Sequence, residues 1–160
     1  MLTNSKYYIT EASVDNINII TWNSELEQER QSAVFDLLNN GKFKLLKDGE
    51  TGPYEVTIKL VEWKLILNVL DLFDAENTEI RISISGIRRI MRDYQIVCEN
   101  YVEAIKTAPL KRIEAIDVGR RSIHDEGAEK LLEIFKDQVE LDMDTARRIF
   151  TLMSIISVKI

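Results

Sequence analysis

Apolar and polar residues alternate through much of the stretch between residues 54 and 84. A period of two puts every second side chain on one face of a β-strand, which limits this stretch to strands with one buried face. Glu62 alone marks a reversal between the first two segments, and a polar turn at 71–77 precedes the third. We therefore predict antiparallel strands whose inward residues are Tyr54, Val56, Ile58 and Leu60, then Trp63, Leu65, Leu67 and Val69, then Ile80, Ile82 and Ile84.

Shorter segments complete the predicted strands. Phe43 and Leu45 alternate with lysines ahead of a Gly- and Pro-containing reversal at 48–53, so a strand there should join the same meander. A short strand is expected at residues 6–10, and the alternation in residues 139–143 fits an edge strand. The period places Trp63 on the apolar side of its strand, so we interpret it as a core residue rather than an exposed recognition aromatic.

The remaining segments have helical periodicity. An S-x-x-E capping box at Ser24 and Glu27 begins a predicted helix that Gly41 ends. Residues 87–105 form an amphipathic helix, Pro109 begins a short helix that Gly119 closes, and another helix carries residues 128–135. The last helix begins at Asp144 and contains ten uncharged residues, 149–158, which indicates burial.

These patterns predict an α+β fold in which an antiparallel β-meander, mostly residues 42–85, is packed on one face by C-terminal α-helices. A chain of 160 residues is long enough for one hydrophobic core, so residues 1–160 are expected to form a single domain.

Composition excludes several classes of function. Cys98 is the only cysteine, so an intrachain disulfide and thiolate metal sites are excluded. A net charge of -6 and a pI near 5.0 argue against non-specific nucleic-acid binding. The first ten residues lack the pattern of a signal peptide, and the longest apolar stretch is too short to span a bilayer, so we expect a cytoplasmic protein without a membrane partner. No motif indicates a cofactor.

The basic residues have an unusual distribution, because six of the ten arginines form three doublets. We interpret each doublet as the opening of a helix, where the positive end of the helix dipole disfavours cations unless an anion neutralises them. Asp93, Asp117, Asp125 and Asp144 are close enough in sequence to neutralise most of them. The doublets are Arg88-Arg89, Arg120-Arg121 and Arg147-Arg148.

Arg88 and Arg92 stand four residues apart on one helix flank, an unfavourable like-charge pair that requires a partner from another element, such as Glu114, Asp117 or Asp144. A bound anion is the alternative partner. The residues we predict to bind such a ligand are Arg88, Arg92, Arg120, Arg121, His124, Arg147 and Arg148.

His124, the only histidine, lies in the densest cluster of charges in the chain. It could act as a general acid or base, or serve as a hydrogen-bonded structural residue beside Asp125. Its neighbours do not have the spacing of a metal site, so no metal is predicted. Cys98 lies in the apolar phase of its helix and is interpreted as a small buried hydrophobe rather than a nucleophile.

Several short blocks, spread over most of the chain, together carry a resemblance to a known family. The blocks are FDL (35–37), GPY (52–54), RRI (88–90), DY (93–94), CE (98–99), Tyr101, EAI (103–105), IEAID (113–117), GRR (119–121), His124, EG (126–127) and DTARR (144–148). They resemble the uncharacterised protein family 0262 (UPF0262) of alphaproteobacteria. The resemblance implies a compact bacterial cytosolic protein and brings no established activity or site residue. This chain departs from the family at Trp63, where the resemblance implies a turn-forming Asn.

Three functions remain open on the sequence. The first is a non-enzymatic binding or regulatory module whose arginines receive an anionic small molecule or an acidic protein segment. The second is a small enzyme that acts on a phosphorylated substrate with His124 as acid or base. The third is a structural or protein-interaction domain in which internal carboxylates pair with the arginines.

Overall fold

The residues that the structure describes form a mixed α+β arrangement of four helices and a mostly antiparallel sheet. This computed structural model describes residues 6–14 and 24–157, with the side chains of residues 24–26 excepted. No described helix is long and apolar enough to cross a membrane. The elements are β1 (Ile9–Val14), α1 (Ser24–Asn40), β2 (Phe43–Leu45), β3 (Tyr54–Val61), β4 (Lys64–Asp71), β5 (Asn77–Ser83), α2 (Arg88–Thr107), α3 (Leu110–Phe135), β6 (Val139–Leu141) and α4 (Met143–Ile156).

The main sheet has the strand order β1-β3-β4-β5. The pairs β3–β4 and β4–β5 are antiparallel, as the alternation predicts, but β1 is parallel to β3. Parallel neighbours require a crossover connection, and here α1 and β2 lie between the two strands in sequence. The strand expected at 6–10 is observed at Ile9–Val14 instead. Its pairing with β3 is parallel, unlike the other pairs of this sheet.

Two short strands lie outside this sheet. β2 pairs antiparallel with β6, with Phe43 opposite Leu141 and Leu45 opposite Val139. Placing β2 in the same meander as β3 was therefore wrong. The segment 46–53 separates β2 from β3, and β2 pairs instead with a strand that lies almost a hundred residues later in the sequence.

Trp63 is not a core residue of a strand. Glu62 and Trp63 form the two-residue turn between β3 and β4, where Val61 pairs with Lys64. Both turn residues have positive φ, 49° and 62°, the conformation of a type I′ hairpin that usually selects Asn and Gly. The Trp63 ring is half-buried, and the guanidinium carbon of Arg88 lies 4.2 Å from its centre.

Residues 110–135 form one helix, so two of the predicted boundaries are wrong. Gly119 does not end a helix, because a single helical glycine costs only about 1 kcal/mol relative to alanine. Arg120-Arg121 consequently lies in the middle of α3 rather than at a helix start. Arg147-Arg148 lies in the second turn of α4, after Asp142 caps that helix by accepting a hydrogen bond from Thr145 N at 2.9 Å.

The core lies between the sheet and the helices. Residues 149–157 are all buried, as their lack of charge predicts, and α4 contacts α1, α2, α3 and β3. Gly127 permits the close approach of α3 and α4, because a Cβ atom there would lie 2.3 Å from the Phe150 ring. The capping box predicted at Ser24 lies outside the described side chains.

Candidate functional site

A cavity of about 540 Å³ lies between all four helices, and we call it the helical cavity. Within each helix, neighbouring lining residues are one, three or four positions apart, a spacing that keeps them on or beside one helix face. The lining residues are Glu29, Ser32 and Ala33 from α1, Tyr94, Cys98, Tyr101 and Val102 from α2, Arg120, Arg121, His124 and Asp125 from α3, and Arg147, Arg148 and Thr151 from α4.

Five of the seven residues predicted as a site line this cavity: Arg120, Arg121, His124, Arg147 and Arg148. Arg88 and Arg92 are not among the described lining residues. The fold thus brings two of the three doublets together on one cavity. The sequence had instead predicted that each of these doublets lies at the start of a helix. Packing of the helix faces, rather than the helix dipole, produces this convergence.

Asp117 pairs with both arginines of the doublet on α3. Its Oδ1 accepts hydrogen bonds from Arg120 Nε at 3.1 Å and Nη2 at 2.5 Å, and its Oδ2 accepts from Arg121. Hydrogen bonds from Arg120 and then Arg121 lower the pKa of the Asp117 carboxyl. The Arg120 guanidinium also lies over the ring of Tyr101, 4.6 Å from its centre.

The doublet on α4 links three helices. Arg147 Nε donates to Asp125 Oδ1 of α3 at 2.8 Å, and its Nη1 donates to Asp144 at 2.5 Å. Arg148 Nε lies 3.2 Å from Asp36 of α1. The four expected carboxylates therefore do pair with doublet arginines, since Asp93 also lies 3.9 Å from Arg89. Asp36 is a partner that local sequence did not predict.

These ion pairs leave part of each guanidinium unused. A guanidinium has five N–H donors arranged around three nitrogens. Within the described structure, Nη1 of Arg120, Nη2 of Arg147 and both terminal nitrogens of Arg148 have no hydrogen-bond acceptor. Each arginine is thus held on one side by a carboxylate and retains donors on the other.

His124 is a neutral imidazole held by α4. Its Nε2 lies 3.0 Å from the carbonyl oxygen of Arg147 and 2.8 Å from Thr151 Oγ1, which itself donates to that carbonyl. Because a carbonyl only accepts, Nε2 carries the proton and Nδ1 carries the lone pair. The ring stacks on Tyr94 with centres 5.1 Å apart, and burial lowers the pKa of His124 to about 4.

Glu29 of α1 and Cys98 of α2 also line the cavity. Glu29 is half-buried, and burial raises the pKa of its carboxyl. Burial also raises the pKa of the half-buried Cys98 thiol to about 11, so this thiol is not an activated nucleophile. The sequence reasoning missed Glu29, although the spacing of Glu29, Ala33 and Leu37 places a carboxylate in the apolar phase of α1.

Arg88 and Arg92 lie apart from this site. Arg88 covers Trp63, and Arg92 makes no ion pair with any described residue. Asp117 and Asp144, which we expected as partners, are already paired with other arginines. The two-residue connection between α2 and α3 makes these helices antiparallel, so Glu114 lies roughly 20 Å along the hairpin from Arg88.

No group of histidine, cysteine and carboxylate side chains that could hold a metal ion occurs among the described residues. The cavity instead combines guanidinium donors, a neutral imidazole, a carboxylate and aromatic rings. These groups place hydrogen-bond donors, acceptors and charge around one volume.

The comparisons with known proteins agree with the resemblance noted from the sequence. The model of the uncharacterised protein family UPF0262 matches residues 6–159. A UPF0262 protein of Dinoroseobacter shibae is 38% identical over 153 residues, which cover 93% of this chain and 96% of the relative. One from Methylobacterium radiotolerans is 40% identical over 145 residues (91% and 89%), and one from Brucella canis is 41% identical over 133 residues (82% of each). No solved structure matches the chain. This protein belongs to the uncharacterised protein family UPF0262.

Proposed function

We propose that this protein is a non-enzymatic binding or regulatory module of the bacterial cytoplasm, whose helical cavity receives the anionic group of a small molecule or of an acidic protein segment. One domain of residues 1–160 provides the scaffold, with the antiparallel meander packed on one face by the C-terminal helices. The observation that carries the proposal is the convergence of Arg120, Arg121, Arg147 and Arg148 on one cavity with N–H donors unused.

The ion pairs support binding because they orient the arginines in advance. A free arginine loses rotamer entropy when it binds a ligand, whereas Arg120 and Arg147 are already held by two hydrogen bonds each. The planar fork of a guanidinium suits carboxylate and phosphate oxygens. A volume of about 540 Å³ is in the range of small-molecule sites.

The enzymatic alternative, with His124 as acid or base toward a phosphorylated substrate, has less support. With a pKa of about 4 the imidazole holds no second proton at neutral pH, so it cannot act as a general acid there. Nε2 is occupied by Arg147 and Thr151, and a nitrogen of such low basicity is a weak general base. His124 serves better as a fixed wall of the cavity.

The structural alternative rests on a specific observation, which is that each of the four cavity arginines has a carboxylate partner. In that case the doublets act as internal links between helices, and the surface contacts another protein. The two functions differ in whether the arginines affect ligand binding or only stability.

The test is a thermal-unfolding series with inorganic phosphate on the wild type, Arg148→Gln and Arg92→Gln. A ligand that binds only the folded state raises the temperature midpoint of unfolding. At a ligand concentration one hundred times its Kd, the free energy of unfolding rises by about 2.7 kcal/mol. We expect Arg148→Gln to weaken the phosphate effect and Arg92→Gln, outside the cavity, to leave it unchanged. An equal phosphate response in all three proteins would favour the structural alternative.

A further inference from the structure

Glu29 is a carboxylate whose hydrogen-bonding capacity is almost unused. It is half-buried, and its one described hydrogen bond is a long one from Tyr94 Oη, at 3.4 Å. It forms no ion pair with any described residue. Burial raises the pKa of its carboxyl, and the charge of Arg120 acts on it with a smaller, opposite effect. A carboxylate has about four acceptor positions, and removing it from water without compensating donors is unfavourable.

The surface beside Glu29 leaves room for a ligand group. Ser32 and Ala33, three and four positions further along α1, line the same cavity and are small. Glu29 and these two residues, which we call the α1 wall, therefore present a carboxylate that borders the open space of the cavity as well as Tyr94.

The other sides of the cavity differ in chemistry. Arg120, Arg121, Arg147 and Arg148, which we call the arginine wall, supply unused N–H donors from α3 and α4. Tyr94, Tyr101 and Val102 of α2 supply an aromatic and apolar side between the two walls. The cavity thus offers donors, an apolar surface and an acceptor.

Building on the proposed function, we propose that the ligand of the helical cavity is a dipolar small molecule with an apolar body. Its anionic group is bound by the arginine wall, and its protonated amine is bound by Glu29. A ligand with an anionic group alone would leave the Glu29 carboxylate without donors, and a ligand with both groups satisfies both walls.

The test uses two matched pairs of probes that differ only in the amine. The first pair is tyramine O-phosphate and para-ethylphenyl phosphate, and the second is para-(aminoethyl)benzoate and para-ethylbenzoate. Affinities are measured by isothermal titration with the full chain. Glu29→Gln removes the charge at nearly constant volume, and Glu27→Gln is the control, because Glu27 pairs with Arg30 on the same helix and is not among the described lining residues.

In the wild type and in Glu27→Gln we expect the amine-bearing member of each pair to bind about tenfold more tightly or better. In Glu29→Gln this ratio should fall to near one while the amine-free probes keep their affinity. Equal affinity of the two members in the wild type would overturn the dipolar ligand and leave anion binding intact. Absence of binding by all four probes would overturn both proposals.

Discussion

Two clusters of charge in this protein differ in whether a ligand can reach them. At the C-terminal end of β4, Asp71 is fully buried. Its Oδ1 accepts hydrogen bonds from Gly52 N at 2.9 Å and from Phe73 N at 3.0 Å, and its Oδ2, which has no hydrogen-bond partner in the described structure, lies 3.5 Å from Lys47 Nζ. We call this set the Asp71 corner. In the helical cavity the carboxylates also hold cations, but guanidinium donors and Glu29 keep unused capacity.

The difference separates a structural network from a candidate binding site. An enclosed carboxylate that is held by backbone N–H groups and a nearby cation stabilises one backbone arrangement and is out of reach of a ligand. Donors and acceptors that line an open cavity are accessible to water in the empty protein, and a ligand can replace that water. Substitutions at the Asp71 corner should therefore affect stability alone, and those in the cavity should affect binding more than stability.

The largest loss of stability is expected from Asp71→Ala. This change leaves Gly52 N and Phe73 N without an acceptor, and removes the buried charge that faces Lys47, so unfolding in urea should show a loss of about 3 kcal/mol. Asp74→Asn is the control, since Asp74 is partly exposed and its loss should be much smaller. The phosphate affinity of the folded protein should be unchanged. An altered affinity would contradict the conclusion that the Asp71 corner affects stability alone.

A smaller loss is expected from Gly127→Ala, which forces α3 and α4 apart. The new Cβ would meet the Phe150 ring at 2.3 Å, and overpacking of this kind costs about 1–3 kcal/mol. Gly119→Ala is the matched control on the same helix, because its Cβ would enter open space and should stabilise by up to about 1 kcal/mol. Urea midpoints of the two variants should shift in opposite directions.

The folded-state pKa of His124 predicts a pH dependence. Above pH 6.5 the His124 imidazole is neutral in both the folded and the unfolded protein. Between pH 6.5 and about pH 4 the imidazole takes up a proton only in the unfolded protein, so falling pH favours unfolding. The stability advantage of the wild type over His124→Gln should therefore shrink by about 2 kcal/mol from pH 7 to pH 4, allowing for partial exposure. Parallel stability curves for the two proteins would mean that the imidazole is not held neutral.

The smallest effects on stability are expected from Arg148→Gln and Arg92→Gln. The partly exposed ion pair of Arg148 with Asp36 should contribute less than about 1 kcal/mol, and Arg92→Gln should change stability even less. The same two variants should differ clearly in phosphate affinity. If Arg148→Gln instead destabilises the protein as strongly as Asp71→Ala, the cavity arginines belong with the structural network.

Local patterns predicted the strands and the nearby ion pairs. The two-residue period in residues 54–84 gave β3, β4 and β5 because alternate burial is a local property, and Asp117 could be matched to Arg120 and Arg121 because they are three and four positions apart on one helix. The same period misplaced Trp63, since a two-residue turn keeps the alternation of the strands around it.

Contacts between elements that are far apart in the chain could not be predicted from local sequence patterns. The pairing of β2 with β6, the parallel entry of β1, and the ion pair of Arg148 with Asp36 join residues far apart in sequence that carry no local signal for each other. The doublets were predicted as site residues because each was expected to lie at the start of a helix, but Arg120-Arg121 lies in the middle of α3. Their convergence on one cavity depends on how α3 and α4 pack, which includes the close approach of Gly127 to Phe150.

A crystal structure of the protein with para-ethylphenyl phosphate tests the central claim most directly. We predict the phosphate inside the helical cavity, within hydrogen-bond distance of the terminal nitrogens of Arg120, Arg147 or Arg148, while Asp117, Asp125 and Asp36 keep their contacts. An empty cavity at saturating ligand, or a phosphate bound only at Arg92, would contradict the account.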